Sequence, residues 1–570
     1  MNSSSARLNT HLAHILFSTL KQLGIDSVFM APGSRSSPLA LAAFHYAINF
    51  YTHFDERALG FMALGYTKSQ LKPAVIITTS GSAVGNLLPA IMEAYMKKLP
   101  LIVITADRPH ELHHRGANQT LKQNGLFDDY TIFSTSFETP QHNFNEKAFS
   151  SLISYSAFIV KKGPVHLNIP LSEPLFDPIV DFPHDVEFRK DLTFLPQFDF
   201  KNKKGILILG EEAALSLEEA TYFNDLSEVL DFPIMADISS GYRSHGLPYL
   251  YYSPFILDTI SKEIEVIWHF GTKIISKSLE NLLKKFSGTY IHFDETQNLY
   301  DPLNRIDYTV RLNEDLKKEL LNLPPQKTFF KENIYSFNAP LKDKLEQLIT
   351  EYPSYEEAMY CHLLSKLDLV NTQIFCGNSL PIRHMDTFFC PDKPTATIFT
   401  QRGVSGIDGL IATACGLSTN EVLTYALLGD LSSLYDINAL ALIVANKLKV
   451  IPIVFNNHGG GIFSYLPIAS QTPHFNRLMS TNHVLNFKDL AHGFDLDYIQ
   501  ISSLEEFESF LKNPTLYTLI EIVSSQEGNP KFLDKVKESV CSFIKELSNN
   551  QTLLSSCTDS WDLATMPKDY

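Results

Sequence analysis

Short apolar runs, each closed by a glycine or a polar residue and followed by a helix signal, recur along this chain and leave few folds open to it. In the first third, Ser27-Val-Phe-Met30, Asn49-Phe-Tyr-Thr-His-Phe54, Ala74-Val-Ile-Ile-Thr-Thr79 and Leu101-Ile-Val-Ile-Thr105 read as strands. Between them fall an amphipathic helix near residues 8–23, a helix to about 47, one opening at Asp55-Glu56-Arg57, and a Gly-rich entry into another. Parallel strands need a crossover, and strands buried on both faces read as unbroken apolar runs, so the alternation predicts parallel sheets wrapped by helices. The rhythm returns at Gly205-Ile-Leu-Ile-Leu209, Ile264-Glu-Val-Ile-Trp-His269 and Tyr290-Ile-His-Phe293. Beyond about 350 it supplies strands before Gly377, Arg402, Asp430 and Asn457, and a last one at Leu519-Ile-Glu-Ile-Val523. The expected fold is α/β with three doubly wound parallel-sheet domains, at 1–180, 200–325 and 350–545, and a polar tail at 546–570 with no assigned role. Residues 172–200, rich in Pro, Phe and Asp, and the Lys- and Pro-rich stretch 314–345 read as connectors. No internal repeat is visible, although the first and third units share a layout. The unusual loops follow strands, at the edge where open α/β sheets bind ligands.

Bulk composition removes several function classes. At 570 residues, 44% of them hydrophobic, the chain has material for about three cores at roughly 100–200 residues per domain. A formal net charge of −16 with no basic run argues against nucleic acid and anionic membrane surfaces. The six cysteines, at 361, 376, 390, 415, 541 and 557, form no C-x-x-C pair, which fits a reducing cytoplasm better than a disulfide framework. The N-terminal segment, broken by His11 and His14, is poor signal-peptide material, and no apolar run approaches the ~18 residues of a membrane helix. A soluble cytoplasmic protein is the expectation. The middle unit carries neither G-x-G-x-x-G nor a Walker loop, so nucleotide binding there has no support.

Two strand ends carry the strongest chemical signal. Asp430 closes Tyr425-Ala-Leu-Leu-Gly429, and Asn457 closes Val450-Ile-Pro-Ile-Val-Phe455. Loops on neighbouring parallel strands can bring a carboxylate, an amide oxygen and a backbone carbonyl around one hard cation, a donor set that suits Mg²⁺ with positions left for diphosphate and water. Glu56 opens a helix directly after a strand; alone it would be an acidic residue favoured by the helix dipole. Only 12 of the 47 basic residues are Arg, yet Arg35, Arg57, Arg108, Arg115, Arg383 and Arg402 lie in or beside these loops. Guanidinium forks bind carboxylates bidentately, so anionic substrates are the favoured reading over scattered surface pairs. His110-Glu-Leu-His-His114 matches H-E-x-x-H, but it starts one residue after Pro109, straight off a strand, with no evident third ligand. Gly459-Gly-Gly461 reads as a flexible turn beside Asn457 rather than a phosphate loop.

The Gly-Asp…Asn pair at this separation resembles the signature of thiamine diphosphate enzymes. Several segments resemble one family among them more closely: Pro32-Gly-Ser-Arg-Ser-Ser-Pro38, Phe54-Asp-Glu-Arg57, Thr79-Ser-Gly81, Thr105-Ala-Asp-Arg-Pro109 and Gly116-Ala-Asn-Gln119. In the C-terminal half they are Gly377-Asn-Ser-Leu380, Arg402-Gly-Val-Ser-Gly-Ile-Asp-Gly409, Gly429-Asp-Leu-Ser432 and Ile462-Phe-Ser464. That family is the 2-succinyl-5-enolpyruvyl-6-hydroxy-3-cyclohexene-1-carboxylate synthases of menaquinone biosynthesis, and the likeness runs from about residue 8 to 545, patchily through the middle.

The resemblance implies pyrimidine-binding, central and diphosphate-binding domains of the thiamine diphosphate enzyme type, with active sites between two subunits of a homodimer or homotetramer. It implies thiamine diphosphate with Mg²⁺, or Mn²⁺, as cofactors. Glu56 would contact the pyrimidine N1′; Asp430, Asn457 and the carbonyl of Gly459 would hold the metal; Gly429, Leu431 and Ser432 would border the diphosphate; and Ile407 would bend the cofactor. Ser34, Arg35, Arg108, Asn118, Gln119, Ser379, Arg383 and Arg402 fall on substrate positions, Arg383 and Arg402 suiting 2-oxoglutarate and Arg35 isochorismate. Of these, Arg35, Gln119, Ser379, Arg383 and Arg402 join Glu56 as catalytic candidates. Ile462, Phe463 and Leu466 would form an apolar wall, and Lys277 would reach the pocket from the middle domain, where Ser278 stands at a position often Arg in the family. The implied reaction decarboxylates 2-oxoglutarate and adds the resulting succinyl-semialdehyde carbanion to isochorismate. Alternatives are another thiamine diphosphate carboligase or decarboxylase, such as acetohydroxyacid synthase, or a relative that has lost activity.

Overall fold

The computed structural model describes residues 5–70, 72–141, 144–175, 190–192, 200–295, 300–403 and 405–550. Packing divides the chain into two compact units, residues 1–193 with 306–309, and residues 194–305 with 310–570.

The first unit is built on a six-stranded sheet ordered Asn49–Thr52, Ser27–Met30, Ala74–Thr78, Leu101–Asp107, Val165–Pro170, Phe133–Ser136, its neighbouring strands all paired in parallel. Alternate residues of one strand feed opposite cores. Val75 and Ile77 pack with Leu12, Leu16 and Ile153 on one face, whereas Ile76 packs with Leu59, Leu87 and Ile91 on the other. That is the period-2 consequence of a sheet covered on both sides. The expected amphipathic N-terminal helix spans Ser5–Gln22 and is buried almost all round, including His14 and Asn9, so it is a core element and not a surface one.

The second unit holds two sheets. Four parallel strands run in the order Thr289–Asp294, Val266–Phe270, Gly205–Leu209, Ile234–Ala236. Six more run Thr397–Thr400, Thr372–Cys376, Leu423–Gly429, Val450–Asn456, Thr518–Val523, Asp497–Ile501. Counted within each domain, the first and last sheets share the order 2-1-3-4-6-5, so the common layout expected from sequence is a common topology. In both, the chain reverses direction across the sheet between strands 1 and 3, a topological switch point. The backbones crowd there. A Cβ on Gly33 would strike the Thr79 side chain, and one on Gly377 would lie 2.8 Å from the Leu427 carbonyl oxygen.

One of the two expected connectors differs from expectation. Residues 314–345 contain the helices Glu314–Leu321 and Phe330–Tyr335 and most of Asn338–Glu351, with Leu316, Leu320, Leu341 and Leu345 buried, because the Lys and Glu residues that made the stretch look loose form solvent faces of amphipathic helices. The last helix, Gly528–Asn550, runs into the segment assigned to a tail; residues 551–570 and most of 172–200 lie outside the described residues. No described helix is long and apolar enough to cross a membrane.

Candidate active site

At the switch point of the third sheet, Asp430 opens the helix Asp430–Tyr435 and is 2% exposed. Its Oδ1 accepts from the Leu431 N–H at 2.6 Å and its Oδ2 from the Gly459 N–H at 2.8 Å, with His483 Nε2 3.1 Å from the same oxygen. Burial pushes the Asp430 carboxyl above its usual range, while the two backbone donors and His483 pull it back. Gly429 precedes it, its carbonyl accepting from Ser433 Oγ, and Ser432 is buried alongside.

Asn457 is buried on the adjoining strand end. Its Nδ2 donates to Glu357 Oε1 at 3.0 Å, and its Oδ1 is buried without a hydrogen-bond partner. Gly459 sits at φ +155, where a side chain would run into Ser480, Asn482 and Gln526. The backbone therefore sets Gly459, two residues after Asn457, against Asp430. An orphaned amide oxygen beside a carboxylate is an oxygen-donor set that fits a hard divalent cation. The preceding Asn456 is anchored in parallel: Nδ2 donates to Glu521 Oε1 at 2.5 Å, and Tyr498 Oη donates to Glu521 Oε2 at 2.5 Å.

Arg383 and Arg402 converge on the loop after Thr372–Cys376. Arg402 Nη1 donates to Asn378 Oδ1 at 2.8 Å, and Arg383 Nη1 to the Ser379 carbonyl at 2.7 Å. Asn378 Nδ2 in turn donates to the carbonyls of Gln401 and Gly406, fixing the loop that carries Arg402 and the half-buried Ile407. Ser379 holds φ +78 and ψ −127, a conformation that costs a non-glycine residue about 1–3 kcal/mol and persists only where its surroundings enforce it. Ile462 and Phe463 lie in the short 3₁₀ helix Gly461–Tyr465, with Leu466 just after it, all three half-buried.

Lys277 and Arg383 line one cavity of about 110 Å³, together with Ser278. The Lys277 ammonium also pairs with Glu280 at 3.1 Å. A second middle-domain lysine, Lys273, donates to the Arg402 carbonyl at 2.7 Å and to that of Gly403.

In the first unit Arg35 and Arg108 are both buried. Arg35 donates to the Leu171 carbonyl at 2.8 Å and to Glu173 at 2.7 Å, leaving Nε without a partner. Arg108 donates from Nη1 to Ser80 Oγ and, at 2.9 Å, to the Gln119 carbonyl. Burial lowers the Arg108 pKa and the nearby Arg35 charge lowers it further, while Asp107 and Glu173 offset part of that shift. Gln119 holds φ +54 against Gly81, while Ser34, Asn118 and Gln119 are solvent-exposed. Glu56 begins the helix Glu56–Gln70, half-exposed, and accepts from Asn86 Nδ2 at 3.0 Å. The stretch His110–Leu112 is a 3₁₀ turn, so His110 and His114 do not share an α-helical face.

Sequence reasoning missed Glu357, His483 and Lys273, whose importance lies in contacts made across long sequence separations. Asn378 and Ser80 stood inside quoted motifs and were the two that could have been found.

A sheet-edge oxygen cluster in one Rossmann-like domain and an arginine pair in a topologically identical one describe a thiamine diphosphate enzyme. Comparison agrees: residues 10–126 match the thiamine pyrophosphate enzyme N-terminal TPP binding domain, and 384–520 its C-terminal TPP binding domain. Similar proteins named 2-succinyl-5-enolpyruvyl-6-hydroxy-3-cyclohexene-1-carboxylate synthase occur in Listeria innocua, 31% identical over 93% of this chain and 97% of that protein, and in Histophilus somni, 32% identical over 94% and 98%. Another, from Psychromonas ingrahamii, is 31% identical over 94% and 96%. The chain belongs to this synthase family.

Proposed function

We propose that the protein uses thiamine diphosphate and a divalent cation, Mg²⁺ or Mn²⁺, to join 2-oxoglutarate and isochorismate with loss of CO₂, forming 2-succinyl-5-enolpyruvyl-6-hydroxy-3-cyclohexene-1-carboxylate. The observation that carries this reading is similarity to synthases of that name over 93% of the chain, combined with arginines at the sheet edges of both units. When bound, thiamine diphosphate supplies the nucleophilic carbon and electron sink that decarboxylation needs; the protein supplies position and charge. Asp430, Asn457 Oδ1 and the Gly459 carbonyl would hold the cation, and Glu56 would hold a proton at the pyrimidine. Arg383 and Arg402 would take the distal carboxylate of 2-oxoglutarate, and Arg35 with Arg108 the carboxylates of isochorismate. Discrimination against pyruvate follows, since it would leave a charged subsite unfilled.

The active unit in this reading is a homo-oligomer with sites shared between copies. Support comes from the helix that begins at Glu56. Gly60 lets it approach Ala90 of the helix Leu88–Lys97, and the outward faces of the pair expose Phe61, Met62, Met92, Tyr95 and Met96, the last at 73%. An apolar face of this kind calls for a partner, here a second copy, which would close over Glu56.

The test is CO₂ release from 2-oxoglutarate with thiamine diphosphate and Mg²⁺, with and without isochorismate. The expected outcome is an isochorismate-dependent product. Equal turnover of pyruvate without isochorismate would point instead to an acetohydroxyacid synthase-type reaction.

A further inference from the structure

We propose that Glu357 is a positioning residue that fixes the amide of Asn457 so that its oxygen faces a divalent cation, and that it links this amide to the first turn of the C-terminal helix. The inference rests on the cation site proposed above. Glu357 opens the helix Glu357–Leu364, 100 residues before Asn457, and is 1% exposed. One of its oxygens, Oε1, accepts from Asn457 Nδ2 at 3.0 Å, Ser524 Oγ at 2.7 Å and Asn529 Nδ2 at 2.9 Å. The clamp is reciprocal, because the Glu357 N–H donates to Asn529 Oδ1 at 3.0 Å.

An asparagine amide presents an oxygen or an NH₂ depending on what each end meets. Reversing Asn457 would set its Oδ1 against the Glu357 carboxylate, two acceptors face to face in a buried place. The carboxylate therefore holds Nδ2 inward and turns Oδ1 outward, where it is buried and without a hydrogen-bond partner. Leaving a buried carbonyl oxygen unpaired is costly, and a cation beside Asp430 removes that cost. Ser524 and Asn529, on one stretch of chain, keep Glu357 in place, so the amide is oriented by two segments distant from each other in sequence. Partners that orient a ligand without touching the metal typically change its affinity by about 10–100-fold.

The experiment is Mn²⁺ binding to the full chain in the presence of thiamine diphosphate, read by electron paramagnetic resonance, with melting of the metal-free protein measured alongside. Asp430→Ala is expected to abolish binding. Glu357→Ala is expected to weaken it about 10–100-fold. Glu357→Gln, which keeps an acceptor oxygen, should stay within a few-fold of the unsubstituted protein, and Asn529→Ala should fall between the two. Full affinity in Asp430→Ala would overturn the cation site and this inference with it. Loss in Asp430→Ala with full affinity in Glu357→Ala would overturn the role of Glu357 alone. So would equal loss in the Gln and Ala variants, since the acceptor oxygen would then not orient the amide. If Glu357→Ala does not fold, unchanged affinity in Asn529→Ala decides against the role.

Discussion

Asp430 engages both of its oxygens within its own domain, on the Leu431 and Gly459 N–H groups and His483, whereas Asn457 spends its NH₂ on Glu357 and keeps an unpartnered oxygen. Both side chains are thus held in place by groups the fold already needs. Glu56 differs. It is half-exposed, with Asn86 donating to it, and its chemistry in the proposed reaction depends on a carboxyl at the pyrimidine. Glu56→Gln keeps the shape and removes the ionisable carboxyl. The expected result is a fall in kcat of roughly 10²–10⁴-fold, the usual contribution of a positioned acid or base, with the melting temperature unchanged. Steady-state kinetics and calorimetry on the same preparation check both halves.

At the scale of elements, the helix Leu380–Phe388 joins the two sheets of the second unit. Its first turn carries Arg383; its Asp386 accepts from Arg243 Nη2 at 2.8 Å and from the Ile238 N–H at 3.0 Å. Arg243, 4% exposed, also donates to the carbonyls of Ala236, Asp386 and Phe389. Removing one member of such a pair leaves the other charge buried alone. Arg243→Ala is therefore expected to cost roughly 3–5 kcal/mol, and Arg243→Ala with Asp386→Ala less than the sum of the single changes. Urea unfolding of the three variants measures this. The pair was invisible in the sequence, because 143 residues separate its members and neither lies in a motif.

At the scale of the whole molecule, burial of histidines sets an acid limit. Burial pushes His166 and His362 down to about 4 and His384 to about 3, from an ordinary 6.5. These rings are neutral when folded and take up a proton on unfolding. Between those values and 6.5 the unfolded state binds more protons, so stability is full above about 6.5 and is lost as pH falls toward 4. Each histidine contributes about 1.4 kcal/mol per pH unit across that window. The urea midpoint should drop between pH 7 and pH 5 more steeply than in a variant with His384→Gln. The apolar face beside Glu56 makes a second prediction at this scale. If the proposed homo-oligomer forms through this face, Met96→Glu is expected to yield monomers in sedimentation and to abolish turnover, with the melting temperature of the monomer showing that its fold is kept.

The sequence by itself determined the α/β class, the strands and the loops at their carboxyl ends, because buried parallel strands are unbroken apolar runs and ligand loops interrupt them with Gly, Asp, Asn and Arg. It also placed Asp430 and Asn457 at strand ends, since each abuts its strand directly, whereas the strand before Glu56 stops at Thr52, four residues short of it. Tertiary structure alone decided the matching 2-1-3-4-6-5 order of the two outer sheets, which no repeat betrays because topology constrains hydrophobic pattern and not residue identity. It alone showed that the Lys-rich connector is helical and that Lys273 holds the Arg402 loop. It also revealed that Glu357, Ser524 and Asn529 turn the Asn457 oxygen outward. Those are contacts between residues up to 172 apart in the chain, and local spacing carries no information about which distant side chains share a buried oxygen.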